Sequence, residues 1–163
     1  MKFTNQRGSL LIEVLISITI AVVFSLAISS LVSANNKLVT ISEQETQATA
    51  LAKESVEQIF AIKQNDWSQI SSLEDGNYIV EISGDDYVIL PDNSEDPGEL
   101  VDNLYKRKIV IKKVRRNEIG EISAAGHLDN QTRFVEVSVT WEYKGQQKRI
   151  VLQNIITNWK GGI

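Results

Sequence analysis

Hydrophobic and polar positions divide this chain into three stretches with different periods. From Leu10 to Val32 run Leu, Ile, Val, Ala, Phe, Ser and Thr, broken by a single charge at Glu13. About 20 apolar residues cross a bilayer as a helix, so this stretch predicts a membrane span with room for tilt. Beyond Asn35 the apolar positions recur at three- and four-residue steps: Leu38, Ile41, Ala48, Leu51, Ala52, Ser55, Val56, Ile59 and Ile62. Lys37, Glu43, Glu45, Lys53, Glu54 and Glu57 fall largely on other faces, which predicts an amphipathic helix packed on the chain's own sheet. Neither Pro nor Gly occurs between Ser9 and Lys63. One unbroken helix is therefore expected, with a membrane half over 9–34 and an amphipathic half over 35–63.

From Gly76 the period changes to two. Tyr78, Val80 and Ile82 alternate with Asn77, Ile79, Glu81 and Ser83, and a second short run covers Tyr87 to Leu90. Gly84-Asp85-Asp86 reads as the hairpin turn between them. Tyr105 to Val114 reads as a basic strand with Ile109 and Ile111 on one face and Lys108, Val110 and Lys112 on the other. Phe134 to Tyr143 is the clearest strand, placing Val135, Val137, Val139, Trp141 and Tyr143 on one face; Lys144-Gly145-Gln146 turns it into a last strand, Arg149 to Ile156. Two polar loops are expected, an acidic one over 91–103 and one over 116–132 that contains Gly120, Gly126 and His127. Antiparallel pairing of these hairpins over 76–163, with one face on the helix, makes the expected fold class α+β.

Composition then removes much chemistry. A chain of 163 residues is one domain's length, and a net charge of −4 gives no reason to expect nucleic acid as a partner. No cysteine is present and His127 is the only histidine, so disulfides, thiolate sites and histidine-cluster metal sites are excluded. There is no phosphate-cradling Gly-rich loop, no Gly-x-Ser-x-Gly and no converging set of acid, base and nucleophile. The expectation is a protein that is not an enzyme, with no cofactor, no small-molecule substrate and no metal. Asp92, Asn93, Glu95, Asp96 and Asp102 could offer oxygens to calcium, but Pro97-Gly98 interrupts them and the spacing is not that of an EF-hand, so a solvated loop is expected. Lys106, Arg107, Lys108, Lys112, Lys113, Arg115 and Arg116 form a basic cluster that strand alternation splits between faces, which reads as a solvated edge strand.

Three readings compete for the N-terminal segment. Val32-Ser33-Ala34 would suit a secretory signal cleavage site, yet signal h-regions are roughly 7–15 residues long and uncharged. A plain single-pass anchor explains the length but not Glu13. A carboxylate in an inserting helix costs about 2.5–3.5 kcal/mol even on lenient scales, which marks Glu13 as a functional position with a cationic partner. A cut after Gly8 would make Ser9 a free amine one helical turn from Glu13, available to pair within the chain or across an interface. Lys2 and Arg7 ahead of the span favour a short cytoplasmic N-terminus and an extracytoplasmic C-terminal region.

The segment Lys2 to Ile20, KFTNQRGSLLIEVLISITI, resembles the leader and mature start of the type IV pilins and type II secretion pseudopilins. These share a short basic leader, a Gly before the cut, an apolar run and a Glu at the fifth mature residue, and Gly8, Leu10, Leu11, Ile12, Glu13, Val14, Leu15 and Ile16 fit. The resemblance implies a prepilin leader over 1–8, cleavage between Gly8 and Ser9 and N-methylation of Ser9 by a prepilin peptidase. It also implies a type IV pilin-like fold, one long N-terminal helix whose outer half packs on an antiparallel β-sheet. Implied partners are other pilin or pseudopilin subunits met through the N-terminal helix, with Glu13 setting register, and an inner-membrane assembly platform. The protein would pass from the inner membrane into an extracellular or periplasmic filament. Ser9 departs from the Phe or Met many members carry, and Val22 and Ser30 stand where many major pilins have Gly and Pro. Ala50-Leu51-Ala52-Lys53-Glu54-Ser55-Val56-Glu57 and Val139-Thr140-Trp141-Glu142 … Asn158-Trp159-Lys160 resemble the PilV family of type IV pilus modification proteins. Type II pseudopilin I is closely similar in both places. That resemblance implies a minor pilin assembled into or at the tip of a type IV pilus; a minor pseudopilin of a type II secretion or competence system, or a single-pass membrane-anchored extracytoplasmic binding domain, are the alternatives.

Overall fold

The computed structural model describes residues 6–84 and 86–159, with side chains from residue 10 onward. The basic leader residue Lys2, the turn residue Asp85 and Lys160 of the C-terminal motif lie outside the described residues. Helix α1 runs without interruption over Gln6–Asn65, as the absence of Pro and Gly from Ser9 to Lys63 allows. The chain divides into two compact units, residues up to Glu43 and residues from Gln44 on.

In the first unit every side chain described from Leu10 to Thr40 is exposed. In the second, α1 carries a narrow buried stripe of Ala48, Ala52, Ser55, Ile59 and Ile62, each at most 2% exposed. Three of these five are small, so the helix can lie close to the sheet; the Ser55 hydroxyl is satisfied by donating to the Leu51 carbonyl at 3.1 Å. The expected stripe is thus correct from Ala48 onward. It fails at Leu38, which is 64% exposed and belongs with the apolar run that precedes it.

A short helix α2, Trp67–Ser71, follows. Asp66 caps it, its carboxylate accepting from the Ser68 N–H at 2.9 Å, and Ile70 is buried beneath it. Six strands then form one sheet: β1 Gly76–Ser83, β2 Asp86–Pro91, β3 Glu99–Val101, β4 Tyr105–Arg116, β5 His127–Tyr143 and β6 Gln146–Thr157. Their order is β2-β1-β4-β5-β6, with β3 also paired to β4, and every pairing is antiparallel. The inward residues Tyr78, Val80, Ile109, Ile111, Val135, Val137, Val139 and Trp141 join the helix stripe in one hydrophobic core.

The architecture is therefore α+β, a long N-terminal helix and an antiparallel sheet, and several details differ from expectation. The basic strand β4 is not an edge: β5 flanks it on one side, and β1 and β3 share the other. β3 lies inside the segment expected to be the acidic loop. β5 begins at His127, not Phe134, so much of the expected 116–132 loop is strand. Ile82 is 74% exposed although Tyr78 and Val80 on the same face are buried, because it lies at the turn end of the β1–β2 hairpin.

Candidate functional site: an apolar helical segment with one carboxylate

Between Leu10 and Asn36 of α1 Glu13 is the only ionisable residue. Around it Leu11 is 68% exposed, Leu15 64%, Phe24 65% and Leu26 66%, a display of apolar surface that water does not tolerate in a folded protein. Four hydroxyls of the segment are satisfied by the helix itself. Ser17 donates to the Glu13 carbonyl, Thr19 to that of Leu15, Ser25 to that of Ala21 and Ser30 to that of Ala27, each at 2.8 Å. With hydroxyls folded back on the helix, its outer surface is hydrocarbon, as a lipid or helix–helix environment demands. This is one helix long and apolar enough to cross a membrane, followed by a β-sheet domain.

Glu13 differs from those hydroxyls. Its carboxylate has no hydrogen-bond or ion-pair partner among the described residues, since Ser17 engages the backbone carbonyl instead. Gly8 and Ser9 lie in the first turn of α1 by their backbone, and Glu13 follows Ser9 by four residues, so the two positions stack on one face. From Leu10 through the expected boundary at Val32 the run is exposed, and exposed apolar residues continue to Val39.

Most of the other candidate groups bond within the sheet domain. In the acidic loop the Asp92 carboxylate accepts from the Ser94 hydroxyl at 2.6 Å, the Ser94 N–H at 3.1 Å and the Gly98 N–H at 2.7 Å. Those bonds, the Ser94 hydroxyl first, hold its carboxyl below the usual range. Asp96 pairs with Lys106, and Asp102 accepts from Gln47 at 3.4 Å. Among the described residues no group of three His, Asp or Glu converges as a metal would need. His127 is exposed at the start of β5, paired with Arg116 across the ladder.

The basic cluster is mostly neutralised inside the domain. Lys113 pairs with Glu74, and Arg107, only 8% exposed, pairs with Glu99 and faces Glu54 of α1 at 3.7 Å. At the far end of β4 the register shifts, Lys113 opposing Arg133 but Val114 opposing Asp129. This bulge lets Arg116 bond Asp129 at 2.7 Å and the Gly120 carbonyl at 2.8 Å, while Arg115 reaches the Gly126 carbonyl at 3.1 Å. The arginines thereby tie down the 117–126 loop. Burial pushes the Asp129 carboxyl up, but hydrogen bonds from Thr132, Arg116 and the Gln131 N–H outweigh it and hold it below the usual range.

Two arginines are buried although the sequence reading predicts neither burial. Arg107 was legible as one of the inward positions of the alternation Tyr105, Arg107, Ile109, Ile111. Arg133, 1% exposed, faces no carboxylate: it donates to the Thr132 carbonyl at 2.9 Å and to the Ser71 carbonyl at the end of α2. A bulge three residues wide placed it there, and nothing in the local sequence announces that. Compared with known proteins, the chain matches no family model, no curated protein and no solved structure.

Proposed function

We propose that the chain is a subunit of the pilin and pseudopilin class, inserted in a membrane and assembled with other subunits through the apolar half of α1. Within that class we take it to be a minor, PilV-like subunit of a type IV pilus, cleaved after Gly8 by a prepilin peptidase. Glu13 carries the reading. An unpartnered carboxylate in an otherwise hydrocarbon-surfaced helix is costly alone, and a terminal amine at Ser9 of a neighbouring subunit would offset that cost.

The remaining features support the same reading. Once subunits leave a bilayer their apolar helices bury against one another, and Ala21, Ser25, Ala27, Ser29 and Ser30 allow close approach. The sheet domain provides ordered surface, which suits a structural subunit. Glu13→Ala tests the proposal. Leader removal should proceed as in the wild type, while recovery of the chain in sheared filaments should fall to background. Normal incorporation of the variant would sink the role given to Glu13.

A further inference from the structure

The face of the sheet turned away from the hydrophobic core carries a groove of about 320 Å³. Its floor follows from strand register. Lys112, Phe134 and Ile155 stand opposite one another on β4, β5 and β6, one residue out of phase with the buried Ile111 and Val135, so all three face outward. Across β4 the facing wall is the segment 122–124, where Ile122 bridges to Arg116 and is 50% exposed, as Ile155 is at 51%. That wall is fixed in place. The Ser123 N–H donates to the Arg115 carbonyl at 2.9 Å, and Arg115 and Arg116 hold the Gly126 and Gly120 carbonyls of the same loop. The groove is thus preformed and spans three strand spacings, about 14 Å.

Its chemistry is apolar with a cationic rim. None of the lining residues is acidic. Lys113 is engaged by Glu74, but Lys112 is exposed and has no partner among the described residues, and Arg115 donates only to the Gly126 carbonyl. Glu136, the next outward residue along β5, is taken by Arg149 and Gln153. Exposed apolar surface beside two uncompensated cations is complementary to an apolar group flanked by carboxylates. An anionic lipid surface shares that chemistry, but membranes receive apolar side chains that protrude. Ile122, Phe134 and Ile155 instead line a concavity, the shape that receives an anchor side chain from a protein partner.

We propose that this groove docks a segment of a different subunit, one that presents a bulky apolar side chain between carboxylates. Phe134, Ile122 and Ile155 hold the side chain, and Lys112 and Arg115 hold the carboxylates. Naming the donor as a fellow subunit of another kind rests on the minor-subunit reading above; the groove and its chemistry do not.

Photo-crosslinking tests this directly. Benzoylphenylalanine in place of Ile155 in the full-length chain, irradiated in native membranes and in sheared filaments, should join it to another filament protein. The joined peptide should carry Asp or Glu within about three residues of the attachment point. The same probe at Ile122, on the opposite wall, should capture that peptide too, and at Ile82, on the β1–β2 hairpin, it should not. Lys112→Glu should lower the yield about tenfold, while Lys112→Arg should keep it. Lys112 makes no bond within the domain, so the glutamate variant reads the contact and not the fold. A joined peptide without nearby carboxylates, or a yield indifferent to Lys112→Glu, overturns the proposal. Attachment to this chain's own Ile119, which is 78% exposed between Glu118 and Glu121, overturns it in favour of a second copy. Lipid adducts alone overturn it in favour of a membrane surface. No product in filaments that contain the chain overturns the docking and leaves the subunit reading intact. The expected peptide from a protein never found in filaments upholds the groove and removes the subunit reading.

Discussion

Glu13 and Asp129 are both carboxylates in helix- or strand-forming sequence, and their surroundings give them opposite roles. Asp129 is supplied with donors by its own chain, from Arg116, Thr132 and the Gln131 N–H, so it stabilises the fold. Its folded-state pKa lies below the unfolded one. The stabilisation is therefore complete above the unfolded carboxylate value of about 4 and is lost as pH falls through the lower folded value. Asp129→Asn should remove about 1 kcal/mol at neutral pH and flatten the acid limb of a stability–pH curve below about pH 4. Denaturant titrations of both proteins across that range check this; parallel acid limbs would refute it. Glu13 was legible from one stretch of sequence because a charge in hydrocarbon stands out against its neighbours. Arg133 was not, because its burial depends on a bulge that brings the end of α2 to it.

At the scale of elements, α1 and the inward faces of β4 and β5 followed from period alone. Helix continuity needs only the absence of Pro and Gly, and a strand with one buried face declares itself by alternation. Element neighbours did not follow. Seven basic residues in β4 read as an edge, yet acidic partners from Glu74, Asp96, Glu99 and Asp129 allow the strand to sit in the sheet's interior. Ion pairing across sequence separations of this size leaves no local signature. Two glycines separate local from tertiary demand. Gly145 sits at φ 76° in the β5–β6 turn with open space around it, whereas Gly126, at φ 150°, would place a Cβ 2.2 Å from the Arg116 carbonyl oxygen. Gly145→Ala should cost about 1 kcal/mol for backbone strain alone. Gly126→Ala should cost about 3 kcal/mol, because strain and collision add. Chemical denaturation midpoints of the two variants compare them, and equal losses would contradict the tertiary role of Gly126.

For the whole molecule, the sheet domain pairs most of its buried charge within itself and the apolar half of α1 does not pair Glu13. Arg107, Arg116 and Arg133 find partners within the domain, and a continuous core joins helix stripe to sheet. The segment from Leu10 to Val39 leaves its apolar side chains exposed and Glu13 without a partner among the described residues, which the proposed insertion and assembly would cover. An anchored binding domain would keep Met1 to Gly8 and meet only the first of those needs. An assembled subunit loses the leader, frees the Ser9 amine and meets both. Intact mass spectrometry of the protein isolated from its native membrane decides between them. The mature chain should begin at Ser9, lighter by the mass of Met1 to Gly8 and heavier by one N-methyl group where methylation is complete. A mass that retains Met1 to Gly8 would contradict the account.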